Sequence, residues 1–517
     1  MIPNDRKWQA IEKAPKTKNN QLEVSMMNML RSFIGLYSLI LLGIFPGQVY
    51  AADRPNIVFI AVDDLTYKYL GSFGATHMKT PHIDSLAAAG FLFRNSVVQG
   101  TMCGPSRNAT ITARYPHNFG LYKNGDIKML PKDMWSFPKA LQQNGYYTSW
   151  IGKSHVKPYT AGIKGNPGDV KTAGMKAMGF DHVSQSMGRS VALKIAMKRL
   201  ESGGKWEYGY DSYADYLHDK GLLEQFVKEG KKPTTMKVDD YLDGNIALQS
   251  VNWINDYAGD DPFFLWVNFS GPHGPYNPPA RYLKAYAAGD MHPVIADPDM
   301  SDIPSHLKTR QWTKSAKQMA RQRAEHAGMV TFIDEQVGRI ISAINESGIR
   351  DKTMIVFYSD HGIMEGDHGL DHKQTLYKEV LNGSLIISLP GAKKGQEITE
   401  VVELTDIVKT AMALAEVPAS EAANAYGHSL MPLMLQRGIY KRTYAFAEQY
   451  NAVAIVGLDY KYIDAGEDKI LFDLKRDPDE LLNVASRMPG IAKRLQGKID
   501  AWRGETGPFI EPTNRNK

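Results

Sequence analysis

Four hydrophobic segments alternate with amphipathic segments along the chain. The hydrophobic segments are rich in β-branched and aromatic residues, which is typical of strands buried on both faces of a sheet. They cover residues 56–62, 146–151, 262–269 and 354–358. Helices are predicted over residues 82–90, 136–144, 239–253 and 325–347. Strands that alternate with helices favour an α/β fold with a large, mostly parallel mixed sheet sandwiched by helices.

The hydrophobic pattern changes after about residue 435. Short alternating segments near residues 453–456, 461–463 and 470–474 precede a final helix, so a smaller α+β domain is predicted at residues 436–517. The main α/β domain then covers residues 53–435. Within it, residues 156–245 have weak periodicity and many Gly, Lys and Tyr residues. We interpret them as an insertion of loops and short helices that recognises substrate.

The first 52 residues are predicted to be a leader with a signal peptide. Arg31 precedes an apolar run at residues 33–45, which fits a signal-peptide core and is short for a bilayer span. Cleavage is expected after Ala51 or Ala52, and an uncleaved membrane anchor is the alternative. The prediction is a periplasmic or secreted protein without stable membrane association after cleavage. Because residues 1–25 are polar, we hypothesise that translation starts at Met26, Met27 or Met29.

The charge balance is mildly basic, with 61 Lys and Arg residues against 56 Asp and Glu residues. This excess suits an anionic substrate. The chain has no dense basic run with interleaved aromatic residues, so nucleic acid is not expected as a partner.

Each predicted strand is followed by polar residues that can carry chemistry. Because ligands of open α/β sheets bind at the carboxyl ends of the strands, these residues are expected to converge. The set comprises Asp63, Asp64, Cys103, Lys153, His155, His273, Asp360, His361 and Lys373. Taken singly, such residues are more often turns, helix caps or solvated charges.

Cys103 is the only cysteine of the chain and so forms no internal disulfide. It lies just before the N-terminus of a predicted helix, in which Pro105 suits the first turn and residues 106–112 continue the helix. A lone cysteine is commonly a small buried core residue. In an exported protein it can also be a reactive thiol, and the surrounding polar residues favour that second reading.

The polar residues divide into two sets of opposite charge. Asp63, Asp64 and Asp360 would repel one another unless a hard divalent cation lay among them. The basic set can hold a tetrahedral anion beside that cation. It comprises Arg107, Lys153, His155, His273 and Lys373. Together the two sets indicate hydrolysis of an anionic ester.

Of six further histidines, two are predicted to contact substrate and four are not assigned to this chemistry. His368 and His372 share a polar loop with Lys373 and are predicted to lie at the substrate rim. The remaining four are predicted to be structural or surface residues: His82, His117, His326 and His428.

The segment Cys103–Arg107 matches Cys-x-Pro-Ser-Arg and resembles the signature of type I sulfatases in the alkaline phosphatase superfamily. The resemblance covers roughly residues 54–485, and further motifs follow in the family's order. They are Gly152–His155, Gly271–His273, Ser359–Gly362 and Gly366–Gly369. An alkaline phosphatase-like catalytic domain at residues 53–435 is implied.

The resemblance implies a modified residue and a metal. A formylglycine-generating maturation enzyme would convert Cys103 to formylglycine (3-oxoalanine), whose hydrate supplies the nucleophile. Calcium is the implied metal, and its ligand positions match Asp63, Asp64, Asp360, His361 and the modified Cys103. Several family members have Asn where His361 stands, so manganese and zinc are the alternatives.

The resemblance also implies a role for each basic residue. Arg107 and Lys153 match residues that hold the formylglycine, and His155 matches one that helps to release sulfate. His273 and Lys373 match residues that bind the sulfate and protonate the leaving oxygen, and Asp360 would also act as a base. Lys153 belongs to the predicted substrate-binding set as well.

The expected activity is removal of sulfate from a carbohydrate, such as carrageenan, ulvan, a glycosaminoglycan or their oligosaccharides. The alternative enzyme is a phosphonate or phosphate ester hydrolase of the same superfamily. A binding protein without enzymatic activity is the third possibility, and the complete set of polar residues disfavours it.

Overall fold

The central sheet of the computed structural model has eight strands. The structure describes residues 54–203, 206–232, 234–295, 314–392 and 395–512. In chain order the strands are β1 (Asn56–Asp63), β2 (Phe91–Val97), β3 (Tyr147–Lys153), β4 (His182–Ser186), β5 (Phe263–Pro272), β6 (Thr353–Ser359), β7 (Ile386–Ser388) and β8 (Gln396–Glu403). Their order in the sheet is β4-β3-β5-β1-β6-β7-β2-β8. Only β7 runs antiparallel to its neighbours.

Packed side chains cover both faces of the central strand β1. Ile57 and Phe59 belong to the hydrophobic core on one side, and Val58 and Ile60 to the core on the other. This alternation follows from the two-residue period of a strand. Each such side chain contributes roughly 1.5–3 kcal/mol on burial, so a charged residue at position 60 would disrupt the sheet at its centre.

Helices cover both faces of the sheet. The helices before β5 are α1 (Pro81–Ala88), α2 (Cys103–Thr112), α3 (Phe137–Gln143), α4 (Pro167–Ala177), α5 (Arg189–Ser202), α6 (Ser212–Asp219), α7 (Leu223–Glu229) and α8 (Leu242–Asp256). Those after it are α9 (Ala280–Leu283), α10 (Ala316–Glu346), α11 (Lys378–Leu381), α12 (Asp406–Leu414), α13 (Ala419–Ala422), α14 (Met431–Leu435) and α15 (Pro489–Glu505).

The longest helix, α10, has a capped N-terminus and one apolar face. Ser315 Oγ accepts a hydrogen bond from the backbone N–H of Gln318, which satisfies an otherwise unpaired donor of the first turn. Val330, Ile333 and Val337 recur at helical spacing and are buried in the core.

A second, antiparallel sheet follows near the C-terminus. Its strands are β9 (Ala445–Gln449), β10 (Ala452–Val456), β11 (Tyr460–Ala465) and β12 (Asp468–Asp473), in the order β12-β11-β10-β9. Leu495, Ile499 and Trp502 of α15 pack against this sheet in a hydrophobic cluster.

The predicted fold class is confirmed, since the sheet is mixed and mostly parallel, helices flank it, and a smaller antiparallel sheet follows. The four predicted strands are β1, β3, β5 and β6. The other four strands of the main sheet were missed because β7 is three residues long and β2, β4 and β8 interrupt their apolar residues with polar ones. The insertion predicted at residues 156–245 therefore contains one strand of the main sheet, β4.

The start of α2 differs from the prediction. Cys103 is the first residue of α2 rather than a residue before it, because the helix begins two positions before Pro105. The leader at residues 1–52 and its cleavage site lie outside the described residues. Among the residues that the structure does describe, no helix has the length and apolar character needed to cross a membrane. The boundary between domains at residue 435 stays a prediction.

Candidate active site

The carboxyl ends of β1 and β6 bring four potential metal ligands together. Asp63 ends β1, Asp64 follows it, His361 lies two residues beyond β6, and Cys103 begins α2. One ligand atom from each lies within 4.8 Å of the others, and all four residues are buried. Because β1 and β6 are parallel neighbours, their ends meet at one edge of the sheet.

Cys103 lies at the centre of this cluster. Its Sγ lies 3.3 Å from Asp63 Oδ1 and 3.4 Å from His361 Nε2. The ammonium of Lys373 lies 3.2 Å from the same sulfur atom. The backbone N–H of Gly104 donates to Asn124 Oδ1 at 2.8 Å, which satisfies one of the free donors at the start of α2. The position of Cys103 is thus fixed by a helix and by charged neighbours.

Asp360 lies beside the cluster and has one carboxylate oxygen without a hydrogen bond. Its Oδ2 accepts from Arg107 Nε at 2.7 Å. Its buried Oδ1 accepts no hydrogen bond from any described residue and lies 3.7 Å from His361 Nε2. A buried carboxylate oxygen of this kind is costly unless a cation or donor satisfies it. Together with the oxygens of Asp63 and Asp64, it suits a hard divalent cation.

Buried cations balance the charge of these carboxylates. Lys153 Nζ forms an ion pair with Asp63 Oδ2, and Lys373 Nζ donates to Asp64 Oδ1 at 2.6 Å. Burial raises the pKa of the Asp63 carboxyl, but Lys153, His273 and Arg107 lower it more, so it lies well below its usual value. Burial is likewise outweighed at Asp64, where Lys373 and the nearby histidines lower the pKa to about 2.

The pKa of His361 shifts upward, opposite to those of Asp63 and Asp64. Burial lowers its pKa, but the carboxylate of Asp360 and the other anionic groups raise it to about 9. The raised pKa reflects the negative charge concentrated around the imidazole, which a bound cation would also neutralise.

Arg107 connects three strands through its guanidinium. It donates from Nε to Asp360, from Nη1 to Asn268 Oδ1 at 2.8 Å and from Nη2 to Asp63 Oδ2 at 3.3 Å. Asn268 lies in β5 and was missed by the sequence analysis. The signal was present, since Asn268 is a polar residue in an otherwise apolar buried segment.

Lys153 reaches the site because β3 and β5 approach each other closely. Gly152 has φ of +105°, and a Cβ at this position would lie 2.1 Å from the carbonyl oxygen of Asn268. Only glycine fits such a position. A larger residue would displace the strand end that carries Lys153.

The pKa values of His155 and His273 are both shifted downward, which favours the neutral imidazole. Burial and the nearby charge of Lys153 hold the pKa of His155 well below its usual value, and its buried Nδ1 has no hydrogen-bond partner among the described residues. Burial also lowers the pKa of His273. Because Gly274 O lies 2.7 Å from His273 Nδ1 and can only accept, the ring proton is on Nδ1. His273 Nε2 lies 3.6 Å from Asp64 Oδ2.

The two histidines predicted for the substrate rim are placed differently. His372 is 46% exposed and directly precedes Lys373, which agrees with a position at the rim. The side chain of His368 is fully buried, with its ring stacked on Tyr377 at 4.0 Å and its Nε2 3.6 Å from Glu379 Oε2. That position does not fit the predicted role, because a substrate at the rim does not reach a fully buried ring.

Comparisons with known proteins find sulfatases. A family model described as Sulfatase matches residues 55–417, and one described as N-sulphoglucosamine sulphohydrolase, C-terminal, matches residues 366–504. The arylsulfatase of Clostridium perfringens is 28% identical over 83% of this chain and 90% of its own length. The N-acetylglucosamine-6-O-sulfatase of Bacteroides thetaiotaomicron is 23% identical over 84% of each chain.

A solved structure shares the fold over most of the chain. The phosphonate monoester hydrolase of Agrobacterium radiobacter superposes with a TM-score of 0.74 and 21% identity, and the match covers 88% of this chain and 96% of that one. The family model spans well over half of the chain and includes every residue of the site described above. The chain therefore belongs to the sulfatase family and is a sulfuric ester hydrolase.

Proposed function

We propose that this enzyme hydrolyses sulfate esters on a carbohydrate, such as a sulfated polysaccharide or the oligosaccharides derived from it. The observation that carries the mechanism is the arrangement around Cys103 Sγ, which has Lys373, Asp63 and His361 within 3.2–3.4 Å. The carbohydrate substrate is supported by the similarity to an N-acetylglucosamine-6-O-sulfatase. Carrageenan, ulvan and glycosaminoglycans are the substrates to test first.

The residues present fit a divalent cation. Asp63, Asp64, Asp360 and His361 would hold it together with the modified Cys103, and the free Oδ1 of Asp360 supports this assignment. Oxygen ligands favour calcium, whereas the imidazole of His361 leaves manganese and zinc as alternatives. A bound cation would supply positive charge that stabilises negative oxygens at this position.

Cys103 would act after conversion to formylglycine by a maturation enzyme. The hydrate of that aldehyde supplies a hydroxyl nucleophile. Asp360 would accept its proton as well as bind the cation, and this role is supported by its position beside the cluster and by an Oδ1 that accepts no hydrogen bond from a described residue. Arg107 would keep Asp360 oriented, because its Nε donates to the other carboxylate oxygen.

The basic residues would bind the sulfate group and move protons. Lys153, His273 and Lys373 are the groups that would neutralise the charge on its oxygens. Lys373 Nζ is the proposed proton donor to the leaving oxygen. Its pKa is raised because Asp64 and the other anionic groups outweigh burial, so it carries a proton at neutral pH. The neutral His155 would accept a proton when sulfate is released.

The maturation enzyme and a sulfated carbohydrate are the proposed partners, and the periplasm or the extracellular space is the proposed location. The catalytic domain is proposed at residues 53–435 and the smaller domain at residues 436–517.

The test is a paired assay on protein matured by a cysteine-specific formylglycine-generating enzyme. We expect hydrolysis of 4-nitrophenyl sulfate and of at least one sulfated oligosaccharide, and weaker hydrolysis of the matching phosphate and phosphonate esters. Cys103→Ala and Cys103→Ser are both expected to lower kcat by at least about a thousandfold, because neither side chain yields the aldehyde. Mass spectrometry of the peptide containing Cys103 should show the loss of sulfur in the wild type.

Three results would contradict the proposal. A preference for phosphate or phosphonate esters would favour the alternative hydrolase. An unmodified thiol in fully active enzyme would exclude the formylglycine mechanism. Turnover that survives thorough removal of divalent cations by a chelator would exclude the metal.

A further inference from the structure

Lys171, on α4 at the same edge of the main sheet, is the strongest unexplained basic group. Its Nζ lies 2.9 Å from the sulfur atom of Met187, a weak acceptor, and this is its one hydrogen bond to the described residues. No carboxylate of the described residues lies within ion-pair distance of it. A largely buried ammonium without an anionic partner is costly.

The fold places Lys171 beside the site. Met187 follows β4, in which Ser186 pairs with Lys153 of β3. A Cβ placed on the next residue, Gly188, would lie 3.8 Å from Cε of Lys153. The charge of Lys171 also contributes to the lowered pKa of His155. These relations place Lys171 on the side of the sheet edge where Lys153 and His155 lie.

Lys157 adds a second cation to the same region. Its backbone N–H donates to Asn108 Oδ1 of α2 at 3.0 Å, and its carbonyl accepts from Leu130 at 2.6 Å, so its position is fixed. Its side chain forms no ion pair with a described residue. Burial and the charge of Lys157 together lower the pKa of Lys171 to about 7. The two ammonium groups therefore repel each other across a partly buried region.

The carboxylate that acts on Lys171 from nearby is already committed. Asp211 accepts hydrogen bonds from Ser186 Oγ and from the backbone N–H groups of Met187, Tyr213 and Ala214. It caps α6 and is fixed by these contacts, so it is not available to pair with Lys171. An external anion would satisfy Lys171 and Lys157 at once.

We propose that Lys171 and Lys157 form a subsite for a second anionic group of the substrate, a sulfate or a carboxylate beyond the ester that is cleaved. The inference rests on the proposed function, since a sulfated carbohydrate commonly carries several acidic groups. Lys171 is then a residue of substrate selection and takes no part in bond cleavage. The subsite would make the enzyme prefer substrates that carry two anionic groups.

The test uses competition against 4-nitrophenyl sulfate, which has a single anionic group. The probes are a series of α,ω-alkanedisulfonates and the alkanesulfonates with the same carbon chains. In the wild type, at least one disulfonate should inhibit about tenfold more strongly than its monosulfonate partner, as expected for one charge-assisted contact. Lys171→Gln should remove this difference, while kcat/KM for 4-nitrophenyl sulfate stays within about twofold.

Two control variants accompany Lys171→Gln. Lys171→Arg keeps the charge and should keep the preference. Lys176→Gln removes an exposed lysine of the same helix and should behave as the wild type. If Lys171→Gln does not fold, Lys157→Gln and Lys171→Arg still test the subsite, because the first should weaken the preference and the second should retain it.

Two outcomes would overturn the inference. One is a wild type that does not distinguish disulfonates from monosulfonates. The other is a Lys171→Gln variant that keeps the difference or weakens both inhibitors equally. If 4-nitrophenyl sulfate is not hydrolysed at all, the proposed function fails, and calorimetric binding of the same probes to the wild type and Lys171→Gln still tests the subsite.

Discussion

Arg107 shows how much of the site depends on the geometry of one side chain. Its three guanidinium nitrogens contact Asp360, Asn268 and Asp63, which come from β6, β5 and β1 or directly follow them. A lysine at this position has one nitrogen and can satisfy one of these acceptors well. The planar guanidinium therefore positions the carboxylates as well as neutralising them.

We predict that Arg107→Lys lowers kcat/KM for sulfate esters by about a hundredfold, because displaced carboxylates no longer align the reacting groups. The activity is to be divided by the fraction of Cys103 that mass spectrometry finds converted, since Arg107 belongs to the signature around Cys103. Arg114→Lys is the matched control, because Arg114 lies just after the same helix and contacts the ring of Tyr426 at 4.2 Å. Wild-type turnover in Arg107→Lys would refute the positioning role.

The site residues could be inferred individually from the sequence to different degrees. The carboxylates and cations at strand ends were identifiable because buried apolar strands end abruptly in charged residues. Asn124 carried no signal, because an asparagine in a loop contacts the start of α2 only after the chain has folded. His368 was misplaced for a similar reason, since a polar loop does not reveal which of its side chains turns inward.

The contact between α10 and α1 depends on a buried carboxylate. Asp334 of α10 accepts hydrogen bonds from the backbone N–H groups of His82 and Ile83, in the first turn of α1. It therefore caps a neighbouring helix, although it is distant in sequence. Burial raises the pKa of Asp334 to about 7, despite these hydrogen bonds, which lower it.

This shift predicts a specific dependence of stability on pH. The folded protein holds a proton on Asp334 up to a pKa of about 7, whereas the unfolded chain loses it near the usual carboxyl pKa of 3.8. The free energy of unfolding that protonated Asp334 contributes is fully present below pH 3.8, the pKa in the unfolded chain. It decreases above that pH and is lost as the pH rises through the folded-state pKa of about 7. We predict that, between pH 3.8 and about pH 7, the melting temperature of Asp334→Asn falls less than that of the wild type.

Thermal melting at a series of pH values checks this dependence of the melting temperature on pH. Asp351→Asn changes an exposed carboxylate and is the control, which should follow the wild type. Parallel profiles for the wild type and Asp334→Asn would show that Asp334 does not titrate as argued.

Helices and strands with a regular hydrophobic period could be predicted from the sequence. Short elements, and elements that mix polar with apolar residues, could not. The helix over residues 325–347 was found, but α10 begins nine residues earlier because its first turns are polar and are defined by the Ser315 cap. Strand β4 became recognisable only through its pairing with β3.

The two sheets are connected by a buried group of charges. Arg442, just before β9, donates to Glu403 at the end of β8 and to Asp406 at the start of α12, at 2.9 and 2.8 Å. A parallel bridge between Gly100, which follows β2, and Glu448 of β9 adds a second connection. These contacts couple the second sheet to the main one.

We predict that Arg442→Ala destabilises the protein by about 3–5 kcal/mol, because it removes the cation that pairs with the buried carboxylates of Glu403 and Asp406. Calorimetry should show one transition at a lower temperature, since the connected sheets unfold together. Arg437→Ala, at an exposed position, is the control and should leave the transition unchanged. Two separate transitions would instead indicate that residues 436–517 unfold as an independent domain.

The sequence by itself determined the α/β fold class, the central strands and the family, because each follows from local periodicity or from a short contiguous motif. It also indicated which charged residues belong together, since parallel strands end at one edge of a sheet. Only the tertiary structure decided the sheet order, the burial of His368, the contacts of Asn268 and the position of Lys171 beside the site. These depend on which distant segments pack together, and contacts between distant segments are set by the packing of the whole chain.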